Sequence, residues 1–122
     1  MATILIVEDD NDFRAVMRDA LSGVGHDVTE ARDAAEALEK IAGWSYDLVI
    51  TDILMPQVDG LSLIREIETV APKTPVIAIS GGDAAIPPAV SLTATKAMGV
   101  SHRLAKPFRL KELLSTVDEV LG

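Results

Sequence analysis

Ile4-Leu5-Ile6-Val7-Glu8-Asp9-Asp10 sets four apolar residues in a row and ends them on three acids. A strand with one wet face would alternate apolar and polar residues. An unbroken apolar run is the pattern of a strand buried on both faces of a parallel sheet, or of a short buried helix. Val76-Ile77-Ala78-Ile79 has the same character. Outward from these two, short apolar runs recur at residues 3–7, 26–29, 47–51, 75–80 and 103–105, five candidate strands in all.

Amphipathic stretches lie between them. Phe13, Val16, Met17, Ala20 and Leu21 repeat at helical spacing and are stopped by Gly23 and Gly25. Ala34, Ala35, Leu38, Ile41 and Ala42 do the same ahead of Gly43, and Leu61, Ile64, Ile67 and Val70 ahead of Pro72. Leu110, Leu113, Leu114, Val117, Val120 and Leu121 form the strongest stripe. A further helix is expected over about residues 88–98, after the breakers Gly81-Gly82-Asp83 and Pro87-Pro88. Its anchors, Val90, Leu92, Ala94, Ala97 and Met98, are sparse. Strand and helix signals in alternation imply parallel pairing through right-handed crossovers. The expectation is an α/β, doubly wound, five-stranded parallel sheet with five helices, in the flavodoxin-like strand order 2-1-3-4-5.

The chain has 122 residues, one domain's worth, with 48% apolar residues but only 3% aromatic, so Leu, Ile, Val and Ala must build the core. A net charge of −8 argues against a direct nucleic-acid or membrane-surface role and suits a divalent cation or basic partners. The absence of cysteine excludes disulfides, Cys-ligated zinc and iron–sulfur clusters. Met1-Ala2-Thr3 lacks a basic signal-peptide region, and no apolar run nears the roughly 20 residues of a membrane span. The expectation is a cytoplasmic domain over residues 1–122, with no output domain.

In an open parallel sheet, chemistry gathers at the carboxyl ends of the strands. Those ends carry Glu8-Asp9-Asp10 after the first strand, Asp52 after the third, Ser80 after the fourth and Lys106 after the fifth; the second offers nothing obvious. Each has an ordinary reading alone: solvated acids, a loop cap, a turn serine, a surface lysine. Asp10 is expected to cap the first helix. Together they make a chemical set. Crowded carboxylates repel one another unless a cation joins them, and Mg²⁺ takes one or two carboxylates while keeping several waters. An aspartate held there can attack phosphorus, with metal and lysine neutralising the transferring oxygens.

Ile4-Leu5-Ile6-Val7-Glu8-Asp9-Asp10, Val49-Ile50-Thr51-Asp52-Ile53-Leu54-Met55-Pro56 with Asp59-Gly60, and Ala105-Lys106-Pro107-Phe108 resemble the signature segments of response-regulator receiver domains, in the family's order and spacing. The resemblance implies a phosphoacceptor in a two-component phosphorelay, a signalling switch that catalyses only its own phosphorylation and slow dephosphorylation. It implies Glu8 and Asp9 as the acidic pair for Mg²⁺, Asp52 as phosphorylation site and metal ligand, the Leu54 backbone carbonyl as another ligand, Ser80 as the switch hydroxyl and Lys106 as the conserved-role lysine. It further implies a cis Lys106-Pro107 bond. The implied partners are a sensor histidine kinase or histidine phosphotransfer protein and a downstream protein target, engaged as a monomer or a phosphorylation-dependent dimer. The implied output face is formed by the fourth helix, fifth strand and fifth helix.

The sequence departs from the pattern in places. Glu8 stands where aspartate is commoner, and Ser80 where threonine is. Arg103 takes the place of a switching aromatic residue, and an exposed arginine is expected there. The segment from residue 80 to 99 is a few residues longer than usual. His26 and His102 have no ligand-spaced companion, and Trp44 and Tyr46 read as packing residues. Among rivals, an Asp-nucleophile phosphatase would want a second acid where Leu54 stands. A flavin or nucleotide site would want a Gly-rich loop where Glu8-Asp9-Asp10 would repel phosphate. A pseudo-receiver, binding a partner without phosphorylation, is the alternative that shares the fold.

Overall fold

The computed structural model describes residues 2–52, 60–80 and 102–122. Its strands are β1 (Thr3–Val7), β2 (Asp27–Ala31), β3 (Leu48–Asp52), β4 (Val76–Ser80) and β5 (His102–Ala105). Its helices among the described residues are α1 (Asn11–Gly23), α2 (Ala34–Gly43), α3 (Gly60–Val70) and α4 (Leu110–Leu121). The five strands form one parallel sheet in the order β2-β1-β3-β4-β5. The expected α/β architecture and strand order hold. The helix expected near residues 88–98 lies outside the described residues.

The unbroken apolar strands explain the layering. Successive side chains of a strand point to opposite faces. Ile4 and Ile6 of β1 therefore join Ile50, Ile77, Met17, Leu21, Leu113 and Val117 in a core beneath α1 and α4. Leu5 and Val7 join Val49, Ala78, Ala34, Ala37, Leu63 and Ile67 beneath α2 and α3. Each β1 residue from Ile4 to Val7 is fully buried, because both faces of the strand are covered. Cutting one such isoleucine back to alanine costs about 2–5 kcal/mol, against a total stability of roughly 5–15 kcal/mol.

Helix ends follow local chemistry. Asp10 caps α1 as expected, its Oδ1 accepting from the amides of Asp12 at 3.0 Å and Phe13 at 3.1 Å; such a cap contributes about 1 kcal/mol. Past the end of α1, Gly25 takes φ +97°, a left-handed turn that favours glycine. Asp33 caps α2 through the Glu36 amide at 2.8 Å. α3 stops at Val70, ahead of Pro72.

One strand lies elsewhere than its pattern suggests. β2 runs to Ala31, beyond the apolar run at 26–29, because it pairs with all of β1, from Thr3 opposite Asp27 to Val7 opposite Ala31. The ladder with a buried neighbour sets its length, and its own hydropathy does not. Two side-chain expectations are also corrected. Trp44, read as a packing residue, is 66% exposed at the end of α2, while Tyr46 does pack against the α2–α3 core. Arg103, read as exposed, is half-buried in β5, where a long apolar stem can lie along the sheet.

Candidate functional site at the carboxyl edge of the sheet

Parallel pairing brings every strand's carboxyl end to one edge, and register decides which residues meet there. Val7 lies opposite Thr51, so Glu8 and Asp52 are the next residues on adjacent strands. Asp52 lies opposite Ile79, which lies opposite Leu104. Lys106 therefore sits two residues beyond the level of Asp52, and its long side chain spans the gap across β4. Its Nζ donates to Glu8 Oε1 at 2.8 Å and to Asp52 Oδ2 at 3.0 Å. Glu8 is fully buried and Asp52 nearly so, while Lys106 keeps 30% of its side chain exposed.

Asp9 is exposed beside them, its amide donating to Glu8 Oε2 at 3.1 Å. Among the described residues, Glu8, Asp9 and Asp52 each present a carboxylate oxygen within 4.8 Å of the others. Next to Asp52, the buried Thr51 hydroxyl donates to the Asp52 carbonyl at 3.1 Å. Phe13 lies against the lysine, its ring centroid 4.6 Å from Nζ, and meets Phe108 edge-on at 5.5 Å. A ring at that distance attracts an ammonium through its quadrupole.

Among the described residues, the acids of the site outnumber the cations beside them. Burial pushes Glu8 up to about 7 from the usual 4.5; the Lys106 hydrogen bond works against this and the nearby Asp52 charge adds to it. For Lys106, burial is the largest influence and pulls downward. The hydrogen bonds and charges of Glu8 and Asp52 together outweigh it and hold the ammonium above its ordinary value. Among the described residues, Lys106 thus serves both buried carboxylates, with Asp9 alongside. A hard divalent ion fits this donor set: it accepts oxygen ligands only, and added positive charge would relieve the crowding.

The fold therefore brings together Glu8, Asp9, Asp52 and Lys106 of the sequence-predicted set. Ser80 ends β4, opposite Ala105. Leu54 lies outside the described residues. The Lys106-Pro107 peptide is cis. His26 and His102 are engaged elsewhere: His26 Nδ1 accepts from the Ala2 amide at 3.2 Å, and His102 Nε2 lies 3.0 Å from Glu119. Sequence reasoning placed Phe13 only in the apolar stripe of α1. Its position three residues past the helix cap was the available signal that it faces the site.

The sequence model of the response regulator receiver domain matches residues 4–118. The chain belongs to that family. Relatives of this receiver domain include the DNA-binding transcriptional regulator NtrC of Azospirillum brasilense, 38% identical over 99% of the chain and 24% of that protein. Response regulator MprA of Mycobacterium sp. (strain KMS) is 35% identical over 97% of the chain and 50% of that protein. The chain thus spans about a quarter of the first of these relatives and half of the second. Among solved structures, a CheY-like receiver domain protein from Methanospirillum hungatei JF-1 superposes with a TM-score of 0.90 at 26% identity, covering 99% of this chain and 94% of that one. NtrX from Brucella abortus gives 0.88 at 33% identity, covering 98% of this chain and 27% of that one. Phosphorylation and Mg²⁺ binding are typical of receiver domains in two-component signalling. No helix among the described residues is long and apolar enough to cross a membrane.

Proposed function

We propose that Asp52 accepts a phosphoryl group from a phosphohistidine on a sensor kinase or phosphotransfer protein, making this receiver domain a switch in a phosphorelay. The observation that carries the reading is the shared lysine: Lys106 bridges the buried carboxylates of Glu8 and Asp52 at the carboxyl edge of the sheet.

In this reading an Asp52 carboxylate oxygen attacks phosphorus. An O–P bond forms as the donor's N–P bond breaks, and the imidazole leaves with the electron pair and takes a proton from solvent. Glu8, Asp9 and Asp52 would hold Mg²⁺, which would supply positive charge to the transferring oxygens. Lys106 gives the same oxygens a fixed ammonium, steadied by the ring of Phe13. Ser80, ending the neighbouring strand, supplies the hydroxyl that follows the phosphoryl group. Later attack by water on phosphorus releases inorganic phosphate and restores the carboxylate. Moving Lys106 and Ser80 toward the phosphoryl group biases a pre-existing equilibrium of the output face to which β5 and α4 belong, which a downstream protein reads. The protein turns over no other substrate, and it works in the cytoplasm with its kinase.

Incubation with acetyl phosphate and Mg²⁺, followed by intact mass measurement, tests the assignment. One added phosphoryl group on the wild type and none on Asp52→Asn is the expected result. An unchanged wild-type mass with both acetyl phosphate and a competent kinase would leave an interaction module that works without phosphorylation.

A further inference from the structure

The Arg14 guanidinium, in the first turn of α1, donates three hydrogen bonds in three directions. Nη1 reaches the Glu8 carbonyl oxygen at 2.8 Å, Nη2 the Asn11 Oδ1 at 2.7 Å, and Nε the Glu30 Oε1 at 3.1 Å. Its side chain is only 11% exposed. Glu30 is itself held from the other side, its Oε2 accepting from Arg18 Nη1 at 3.1 Å. Glu30 lies in β2 opposite Ile6, so the strand without an obvious functional residue reaches the site through this pair.

The carbonyl that Arg14 grips matters more than the number of bonds. It belongs to the peptide joining Glu8 to Asp9. The Glu8 amide already donates to the Ala31 carbonyl at 3.1 Å, and the Asp9 amide donates to the Glu8 carboxylate at 3.1 Å. With Arg14 on the carbonyl, the polar groups between the two acids are all held. Rotation of that peptide would swing one carboxylate away from the other. Arg14 also meets Glu8 through its backbone, leaving the carboxylate oxygens to other partners. A planar guanidinium suits this work, because its donors diverge at fixed angles; an ammonium is a point charge on a flexible stem.

We propose that Arg14 is a positioning residue for the acidic site: braced by Glu30 and Asn11, it fixes the Glu8–Asp9 peptide so that both carboxylates are pre-set to hold Mg²⁺. The inference rests on reading Glu8, Asp9 and Asp52 as the Mg²⁺ ligands. Groups that orient metal ligands from outside typically change affinity by 10–100-fold when lost.

The test is calorimetric titration of Mg²⁺ alone into wild type, Arg14→Lys and Glu30→Gln, each checked for folding by circular dichroism. Arg14→Lys should bind Mg²⁺ about tenfold more weakly, and Glu30→Gln should weaken binding in the same direction by less. With acetyl phosphate, Arg14→Lys should need more Mg²⁺ for half-maximal phosphorylation yet reach the wild-type rate at saturation. A folded Arg14→Lys with wild-type Mg²⁺ affinity would overturn the proposal even if its melting temperature fell; Arg14 would then only staple α1 to β2. Should Arg14→Lys not fold, Glu30→Gln decides by the same criterion. A wild type that binds no Mg²⁺ would overturn the parent reading along with this one.

Discussion

The two edges of the sheet use the same kinds of side chain for opposite ends. At the amino edge, Asp47 Oδ2 accepts from the Thr3 amide at 2.8 Å and His26 Nδ1 from the Ala2 amide at 3.2 Å. Each polar group there closes a backbone donor where a strand begins. At the carboxyl edge, Glu8 and Asp52 are buried and face a shared lysine and one another. Buried polar groups normally end in satisfied, local hydrogen bonds. Burying like charges together is expensive unless something arrives to balance them. The contrast separates residues that hold the strands in register from residues poised for a ligand.

The sharpest way to break this comparison is Asp52→Asn, which keeps the shape of the side chain and should abolish phosphoryl uptake altogether, as read by intact mass. Uptake retained by that variant would move the acceptor elsewhere. Next, Lys106→Ala should still bind Mg²⁺ while the rate of uptake from acetyl phosphate falls by about 100-fold, and phosphorylation should no longer change partner binding. A phosphorylation-dependent change in partner binding surviving in that variant would contradict the role given to the lysine.

Glu8 gives a pH signature. Its folded-state value of about 7 lies above the usual 4.5, so the folded protein keeps a proton that the unfolded chain releases. The stability it contributes is fully present below pH 4.5 and is lost as pH rises through about 7. In metal-free buffer, urea midpoints of the wild type should therefore fall over that window relative to Glu8→Gln, and Mg²⁺ should reverse the trend. Parallel curves for the two proteins would show that Glu8 binds its proton equally in the folded and unfolded states. The smallest effect belongs to the opposite edge. Asp47→Ala should cost about 1 kcal/mol, the worth of one hydrogen bond, and leave phosphoryl uptake unchanged. Loss of uptake there would erase the distinction between the edges.

Much of this was legible along the chain because it depends on near neighbours. Four apolar residues in succession mark β1 as buried on both sides, and Asp10 lies within reach of the amides it caps. Acids, serine and lysine after apolar runs are visible as strand ends once the sheet is taken as parallel. The bounds of β2 were not legible, since its ladder with β1 extends it past its own apolar run. Nor was the exposure of Trp44, which depends on where the chain turns after α2. Arg14 and Glu30 are 16 positions apart and look like any surface pair until α1 packs beside β2.

The carboxylates behave in the same way. That Glu8, Asp9, Asp52 and Lys106 would share one edge was determined by strand order and apolar pattern, which are properties of the sequence. That Lys106 divides its charge between Glu8 and Asp52, 98 and 54 positions away, was decided only by tertiary structure. Local pattern sets which end of a strand a residue occupies. Which charges meet, how deeply they are buried and what braces them depends on register and packing between segments distant in the chain.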